Sequence, residues 1–387
     1  MRLNRHVFAL SLLVIAVLGS GSLAALETAE TTLTAEGNIG RGGTVVVENL
    51  LGSVRLVATT SPGAVKVEAL VAAEAKQPEL ARALVDSIRI DRVTEGNETR
   101  FHVAFPVDQH TAFRLPKSGM KGMFKRWTAP VLKDSTPVDY DGKQVEVGAN
   151  RKATGLAVYL TVTVPYDRTV VVRQRVGSVD GRALRGNLRV AAIDGEILLE
   201  RCLGSLQVET ERGDLRVVSF QGDDLSLTSK QGNMELREIR AAKVFLQTET
   251  GAIRSSGVVS EDLRVESTSG DVHLGGMEPR RAEVKTDSGK VDLATNMKTL
   301  RDAVIQSATG DVTLRVGELT HFDLHAETKS GEVNTLGGVT LNLVAQDGLA
   351  SQLKHGQGGP HLRISALGGN VTVRPYDGSR LNLLLKN

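Results

Sequence analysis

Leu263–Leu274 reads LRVESTSGDVHL. Leu263 and Val265 precede Gly270 at alternate positions, and Val272 and Leu274 follow it in the same way. That period turns one side of an extended chain inward. A glycine between two such runs lets the chain bend sharply. The phrase recurs around Gly177, Gly195, Gly213, Gly232, Gly251, Gly270, Gly289, Gly310, Gly331 and Gly369, at steps of 18, 18, 19, 19, 19, 19, 21, 21 and 38 residues. Seven residues before each glycine, five before it and two after it, every site is apolar. These columns run from Val170, Val172 and Val179 to Leu362, Ile364 and Val371. Three residues before, the site is a small hydroxyl: Thr210, Ser229, Thr248, Ser267, Thr286, Ser307 and Thr328.

Two short strands cannot bury a core or satisfy their own edges. Stacked copies can, and a fixed period of this length is the signature of a repeat array. The expectation is an all-β chain built as a parallel β-solenoid with coils of about 19 residues. The outward column three after the glycine (Arg216, Glu235, Arg254, His273, Asp292, Thr313, Asn334) mostly alternates in sign or is neutral, as stacked neighbours require. The last step of 38 reads as two periods, with KHGQGGP (Lys354–Pro360) as a loop in the second.

Working outward, the 387 residues are 41% apolar, 24% charged and 3% aromatic, with a net charge of +2. That balance excludes a wholly disordered chain and argues against a dedicated nucleic-acid binder. The single Cys202 excludes an intrachain disulfide framework, and Leu199 and Leu203 beside it suggest a buried thiol. Residues 1–24 read as a secretory signal: Arg2, Arg5 and His6, an apolar run Val7–Leu18, then Ser22 and Ala24 at cleavage-site spacing. Residues 25–165 read as a β-rich module with one short helix at Pro78–Ile88, and 166–387 as the solenoid. The phrase appears early at Gly52, with Val45, Val47, Val54 and Leu56, and again at Gly63, with Val65 and Val67.

The N-terminal module carries an insertion at about 107–150. Within it, Thr111–Lys133 holds six basic residues and no acidic one. Arg114, Lys117, Lys121, Lys125, Arg126 and the only tryptophan, Trp127, form a candidate contact for a membrane surface or an anionic polymer. Pro116, Gly119 and Gly122 spoil a continuous amphipathic helix, so an insertion with no binding role stays open.

The search for chemistry returns little. No phosphate loop of the G-x-x-x-x-G-K-[ST] type and no H-E-x-x-H occurs. His321, Asp323 and His325 share one strand face, but the two imidazoles stand too far apart for one metal ion. Asp311 and Glu332 are the only consecutive acids in the column after the glycine, the arrangement a glycan-cleaving solenoid needs. No catalytic residue, cofactor or metal ligand is assigned.

The chain resembles the bacterial "putative adhesin" family of exported β-solenoid proteins, a domain of unknown function. The resemblance rests on GGTVVVENLLGSVRL (Gly42–Leu56), VYLTVTVPYDRTVVVRQRVGSV (Val158–Val179), and TSGDVHL, TDSGKVDL, ATGDVTL and TKSGEVNT between Thr268 and Thr335. It implies a periplasmic or surface protein of the bacterial envelope and no transferable catalytic residue. The expected function is an exported, non-enzymatic scaffold or adhesin-like binding protein whose partner is an envelope protein or surface polymer. A self-associating structural protein and a carbohydrate-active enzyme are the alternatives.

Overall fold

The computed structural model describes residues 26–116, 135–148, 150, 152–317, 321–337, 339–347 and 350–376. The secretory signal and most of the basic segment lie outside them. The chain divides into two compact units, Met1–Leu198 and Leu199–Asn387.

The first unit holds β1 (Glu27–Asn38), β2 (Thr44–Thr59), β3 (Ala64–Ala75), α1 (Pro78–Asp86), β4 (Arg89–Glu95), β5 (Glu98–Ala104), β6 (Ala112–Arg114), β7 (Thr136–Tyr140), β8 (Lys143–Val147), β9 (Thr154–Pro165), β10 (Arg168–Arg182) and β11 (Arg185–Asp194), with β12 (Ile197–Glu200) at its end. Proline at its N-terminus starts α1, and Ala81 and Val85, one turn apart, are its buried face. Strand β2 runs parallel to β5 and β9 on one side and to β10 on the other. The unit therefore takes in residues on both sides of Pro165. The Gly52 phrase is a true coil, stacked on Gly177. The Gly63 phrase is not: β3 pairs antiparallel with β1 and β9, so Gly63 belongs to the connection into an antiparallel strand. Local alternation cannot distinguish the two, because both ladders bury every second residue.

The second unit holds β13 (Leu203–Arg212), β14 (Leu215–Gln231), β15 (Met234–Thr250), β16 (Ile253–Ser269), β17 (Val272–Thr286), β18 (Val291–Thr295), β19 (Asp302–Ser307), β20 (Val312–Val316), β21 (Phe322–Glu327), β22 (Val333–Thr335), β23 (Asn342–Asp347), β24 (Ala350–His355), β25 (His361–Ala366) and β26 (Val371–Pro375). From β13 to β20 each strand pairs in parallel with its equivalent in the next coil, at the 18- to 21-residue offsets of the repeat. Of the thirty sites read as interior, all are buried except Val333, which is half-buried in a coil with a parallel neighbour on one side only.

Each coil bends twice. The first bend is the glycine column, and its cause differs from the one expected. Several of these glycines have positive φ, but Gly270 and Gly310 do not. What these two need is room: a Cβ on Gly270 would stand 1.9 Å from the carbonyl oxygen of Gly251, and one on Gly310 would stand 1.8 Å from that of Gly289. The second bend lies six residues later and has no residue signature. Ala183 in the first unit, and Arg201, Ser219, Glu238, Gly257 and Gly276 in the second, all adopt left-handed φ of 55–69°. Non-glycine residues there cost about 1–2 kcal/mol each, which the ladders on either side offset.

The order of the last coils departs from the order of the chain. The 38-residue step is not two successive coils. Strand β25 lies between β19 and β21, and β26 lies between β20 and β22, so the Gly369 coil is inserted between the Gly310 and Gly331 coils. After β22 the chain makes the β23–β24 hairpin, with β24 antiparallel on the outer side of β21, and then returns through Gly356–Pro360. A charge column shows why this order is favoured. In spatial order, eight residues before the glycine, it reads Asp224, Lys243, Asp262, Arg281, Asp302, His361, Asp323. Stacking in chain order would set Asp302 directly against Asp323, and like charges there are destabilising.

Two measurements check these points. Gly270→Ala should lower unfolding stability by roughly 1–3 kcal/mol as an overpacked site. Gly40→Ala, whose Cβ meets nothing nearer than 3.4 Å, should stay within about 0.5 kcal/mol. In a Cys202→Ser background, the Asp302→Cys/His361→Cys pair should cross-link on oxidation, since adjacent strands lie about 4.8 Å apart. The Asp302→Cys/Asp323→Cys pair, two strands apart, should not.

Candidate functional site

The acidic column after the glycine is the first candidate, since it raised the prospect of paired catalytic carboxylates. Its oxygens are committed to the backbone. Asp214 Oδ1 accepts from the Asn233 amide at 2.8 Å, and Asn233 Oδ1 accepts from the Ala252 amide at 3.1 Å. Asp271 Oδ1 accepts from the Lys290 amide at 2.9 Å. Asp311 Oδ1 accepts from the Asn370 amide, and Asn370 Oδ1 from the Glu332 amide, both at 2.9 Å. The column is a broken side-chain ladder that ties five corners to the next coil, with Ala252 and Lys290 as its gaps. Asp311 and Glu332 are not neighbours, because the inserted coil puts Asn370 between them. The buried hydroxyl column beside it caps the same corner: Ser307 donates to the Gly310 carbonyl at 2.8 Å, and Thr328 to that of Gly369 at 3.0 Å.

Other outward charges pair between coils. Arg281 binds Asp262 through two nitrogens, at 2.5 and 2.9 Å, and its hydrogen bond holds the Asp262 carboxyl below the usual carboxylate range. Arg216 meets Glu235 at 2.8 Å, and Arg280 meets Glu261 at 2.9 Å.

A second polar cluster lies in the first unit, around a cleft of about 100 Å³ lined by Glu48, His102, Tyr140, Asp141, Arg173 and Arg175. Parallel register across β5, β2 and β10 sets His102, Glu48 and Arg173 side by side. The β7–β8 hairpin, turning through Asp141 and Gly142 at positive φ, adds Tyr140 and Asp141. His102 Nδ1 lies 3.1 Å from Glu48 Oε2, and its Nε2 lies 2.9 Å from Asp141 Oδ1. Arg173 pairs with the other Glu48 oxygen at 2.5 Å. Burial pushes the Glu48 carboxyl up, but hydrogen bonds from Arg173 and His102 and the charges of Arg100 and Arg173 outweigh it, leaving it below its ordinary 4.5. Tyr140, stacked on His102, is pushed well above the ordinary phenol range by burial and by the nearby Asp141 and Glu48 charges. No serine, threonine or cysteine lines this cleft. Both imidazole nitrogens face carboxylates, so neither is turned toward a nucleophile.

Of the residues predicted from sequence as a surface contact, Arg114 is not one. It is 6% exposed and pairs with buried Glu74 at 2.8 Å, beside Gly155. A guanidinium desolvated with its carboxylate is a structural pair whose disruption is costly. Lys117, Lys121, Lys125, Arg126 and Trp127 lie outside the described residues. His321 rests against the Gln357 carbonyl at 3.2 Å, and Asp323 faces Lys354 and His361. Cys202 is buried. Reading the sequence missed the His102 cluster, and it missed Asn49 and Gln174, which are fully buried and hydrogen-bonded to each other at 3.0 Å. Glu48, Asn49, Arg173 and Gln174 sit in equivalent columns of the Gly52 and Gly177 phrases, whereas His102, Tyr140 and Asp141 belong to no repeated phrase.

Because the folded Glu48 carboxyl lies below its unfolded value, its contribution to stability is present above about pH 4.5 and is lost as pH falls through the depressed value. The stability difference between wild type and Glu48→Gln, measured by denaturant unfolding, should shrink as pH falls below about 4.5. A difference unchanged at about pH 3 would count against this assignment.

Among solved structures, the chain is similar to a "putative adhesin" from Bacteroides fragilis, with 9% identity over 89% of this chain and 97% of that one and a TM-score of 0.36. It is also similar to a "putative lipid binding protein" from Parabacteroides distasonis, with 11% identity over 88% and 96% and a TM-score of 0.34. A third is a "putative cell adhesion protein" from Clostridium sporogenes, with 9% identity over 90% and 100% and a TM-score of 0.24. No curated protein matches the sequence. The family model named Toastrack DUF4097 matches residues 140–374, more than half of the sequence and nearly all of its repeats, and the chain belongs to that family.

Proposed function

We propose that this protein is an exported, non-enzymatic scaffold of the bacterial envelope, a periplasmic or surface protein that binds a partner through its outward solenoid faces in the manner of an adhesin. The observation that carries the reading is the use made of the repeated polar columns. The carboxylates most suited to a glycan-cleaving site, Asp214, Asp271 and Asp311, accept backbone amides of the next coil. The charges beside them pair across coils. A surface held in that way is suited to display rather than to turnover. The leader-like residues 1–24 support export, and the basic segment with Trp127 supports contact with an anionic polymer or membrane surface. Because Arg114 belongs to a buried pair, that contact is assigned to Lys117, Lys121, Lys125, Arg126 and Trp127.

A second reading, self-association, is favoured by the last coil. Among the described residues β22 pairs with β26 alone. Leu336, Leu343 and Val344 near it are 55%, 58% and 53% exposed.

Expression of the full chain in a bacterial host followed by fractionation should give an extracytoplasmic protein whose N-terminus begins at residue 25. The purified protein should bind envelope fractions without releasing sugars from a polysaccharide panel. Cytoplasmic retention of the full-length chain, or catalytic release of oligosaccharides, would overturn the reading. Replacing Lys117, Lys121, Lys125, Arg126 and Trp127 with alanine should weaken binding to anionic liposomes while leaving the melting temperature unchanged. Sedimentation at two concentrations separates a monomeric scaffold from a self-associating one.

A further inference from the structure

The hairpin β7–β8 is held at its two ends by different chemistry. At its base, β8 pairs with β6, and Thr136 Oγ1 donates to Asp194 Oδ2 at 3.4 Å. At its tip the contacts are ionic and aromatic. Asp141 binds His102 Nε2, Tyr140 donates to the Val103 carbonyl at 2.5 Å and stacks on the His102 ring, and Lys143 pairs with Asp108. An ionised carboxylate only accepts hydrogen bonds. His102 meets one at each nitrogen, so both bonds exist together only when both nitrogens carry protons. A neutral ring keeps a single N–H and turns a lone pair toward the other carboxylate.

We propose that His102 is a proton-operated clasp, closing the tip of the β7–β8 hairpin onto β5 and β2 when charged and releasing it when neutral. The groups facing the ring favour this division of labour. Glu48 on β2 keeps Arg173 as a second partner, and Arg175 stands in the same cleft wall on β10. Asp91 on β4 stands opposite His102 in register, and Arg100 on β5 is occupied by Glu98. When the proton leaves, Nδ1 and Nε2 compete for one hydrogen, and Asp141 is the partner carried on a turn. The proposal concerns the first unit and is independent of what the solenoid faces bind.

The test is hydrogen–deuterium exchange of the full chain at about pH 5 and about pH 8, the range in which imidazoles change charge, with intrinsic exchange rates divided out. Amides of residues 138–145 should lose about tenfold in protection at the higher pH, the loss of one charge-assisted hydrogen bond, relative to those of β2. Asp141→Asn should abolish that dependence, because an amide accepts from either ring state or donates to a neutral nitrogen. His102→Gln should give a hairpin whose protection is the same at both pH values. Wild-type protection that does not change with pH, or a dependence that survives in Asp141→Asn, overturns the clasp. The melting temperature of each variant at about pH 5 distinguishes local opening from failure to fold.

Discussion

The close approach of one coil's backbone to the next at the glycine corner is the constraint on which the other features depend. Parallel strands must keep their ladder spacing through every bend, and at this bend a carbonyl oxygen occupies the place where a Cβ would stand. Once glycine is obligatory there, the flanking positions follow. Apolar residues at alternate sites face inward, Ser267, Ser307 and Thr328 bond corner carbonyls, and in several coils an Asp or Asn reaches across to the next amide. The repeat in the sequence is the imprint of that one steric demand.

The inserted coil shows how the same ladder rules act without regard to chain order. A parallel ladder asks only that equivalent positions meet with compatible side chains. The Gly369 coil satisfies the columns between the Gly310 and Gly331 coils better than direct contact would. It sets His361 between Asp302 and Asp323, and Asn370 between Asp311 and Glu332. In the first unit β2 is likewise enclosed by β10 on one side and by the later strands β5 and β9 on the other. Coils that are alike in pattern need not stack in chain order, and here the charge columns favour the inserted one.

The functional reading changed most where polar residues were concerned. Asp311 and Glu332 are consecutive acids along the repeat but are not neighbours in space. Arg114 looked like a surface cation because its neighbours in sequence are basic. In the fold the first two are separated by an amide, and the third is buried against Glu74. The cluster around His102 had no motif at all. Its residues come from β2, β5, β10 and the β7–β8 turn, more than a hundred positions apart, and only the register of the ladders unites them.

The all-β class, the parallel solenoid with its period near 19, the inward columns and the single short helix were legible in the sequence. Each reflects a local demand, alternation of side chains or absence of a Cβ, that recurs wherever the local geometry recurs. The coil order, the left-handed second bend, the antiparallel fate of the Gly63 phrase and the carboxylate–imidazole cluster were decided by tertiary structure alone. These depend on which strand lies beside which, and a pattern common to every coil carries no information about its neighbour.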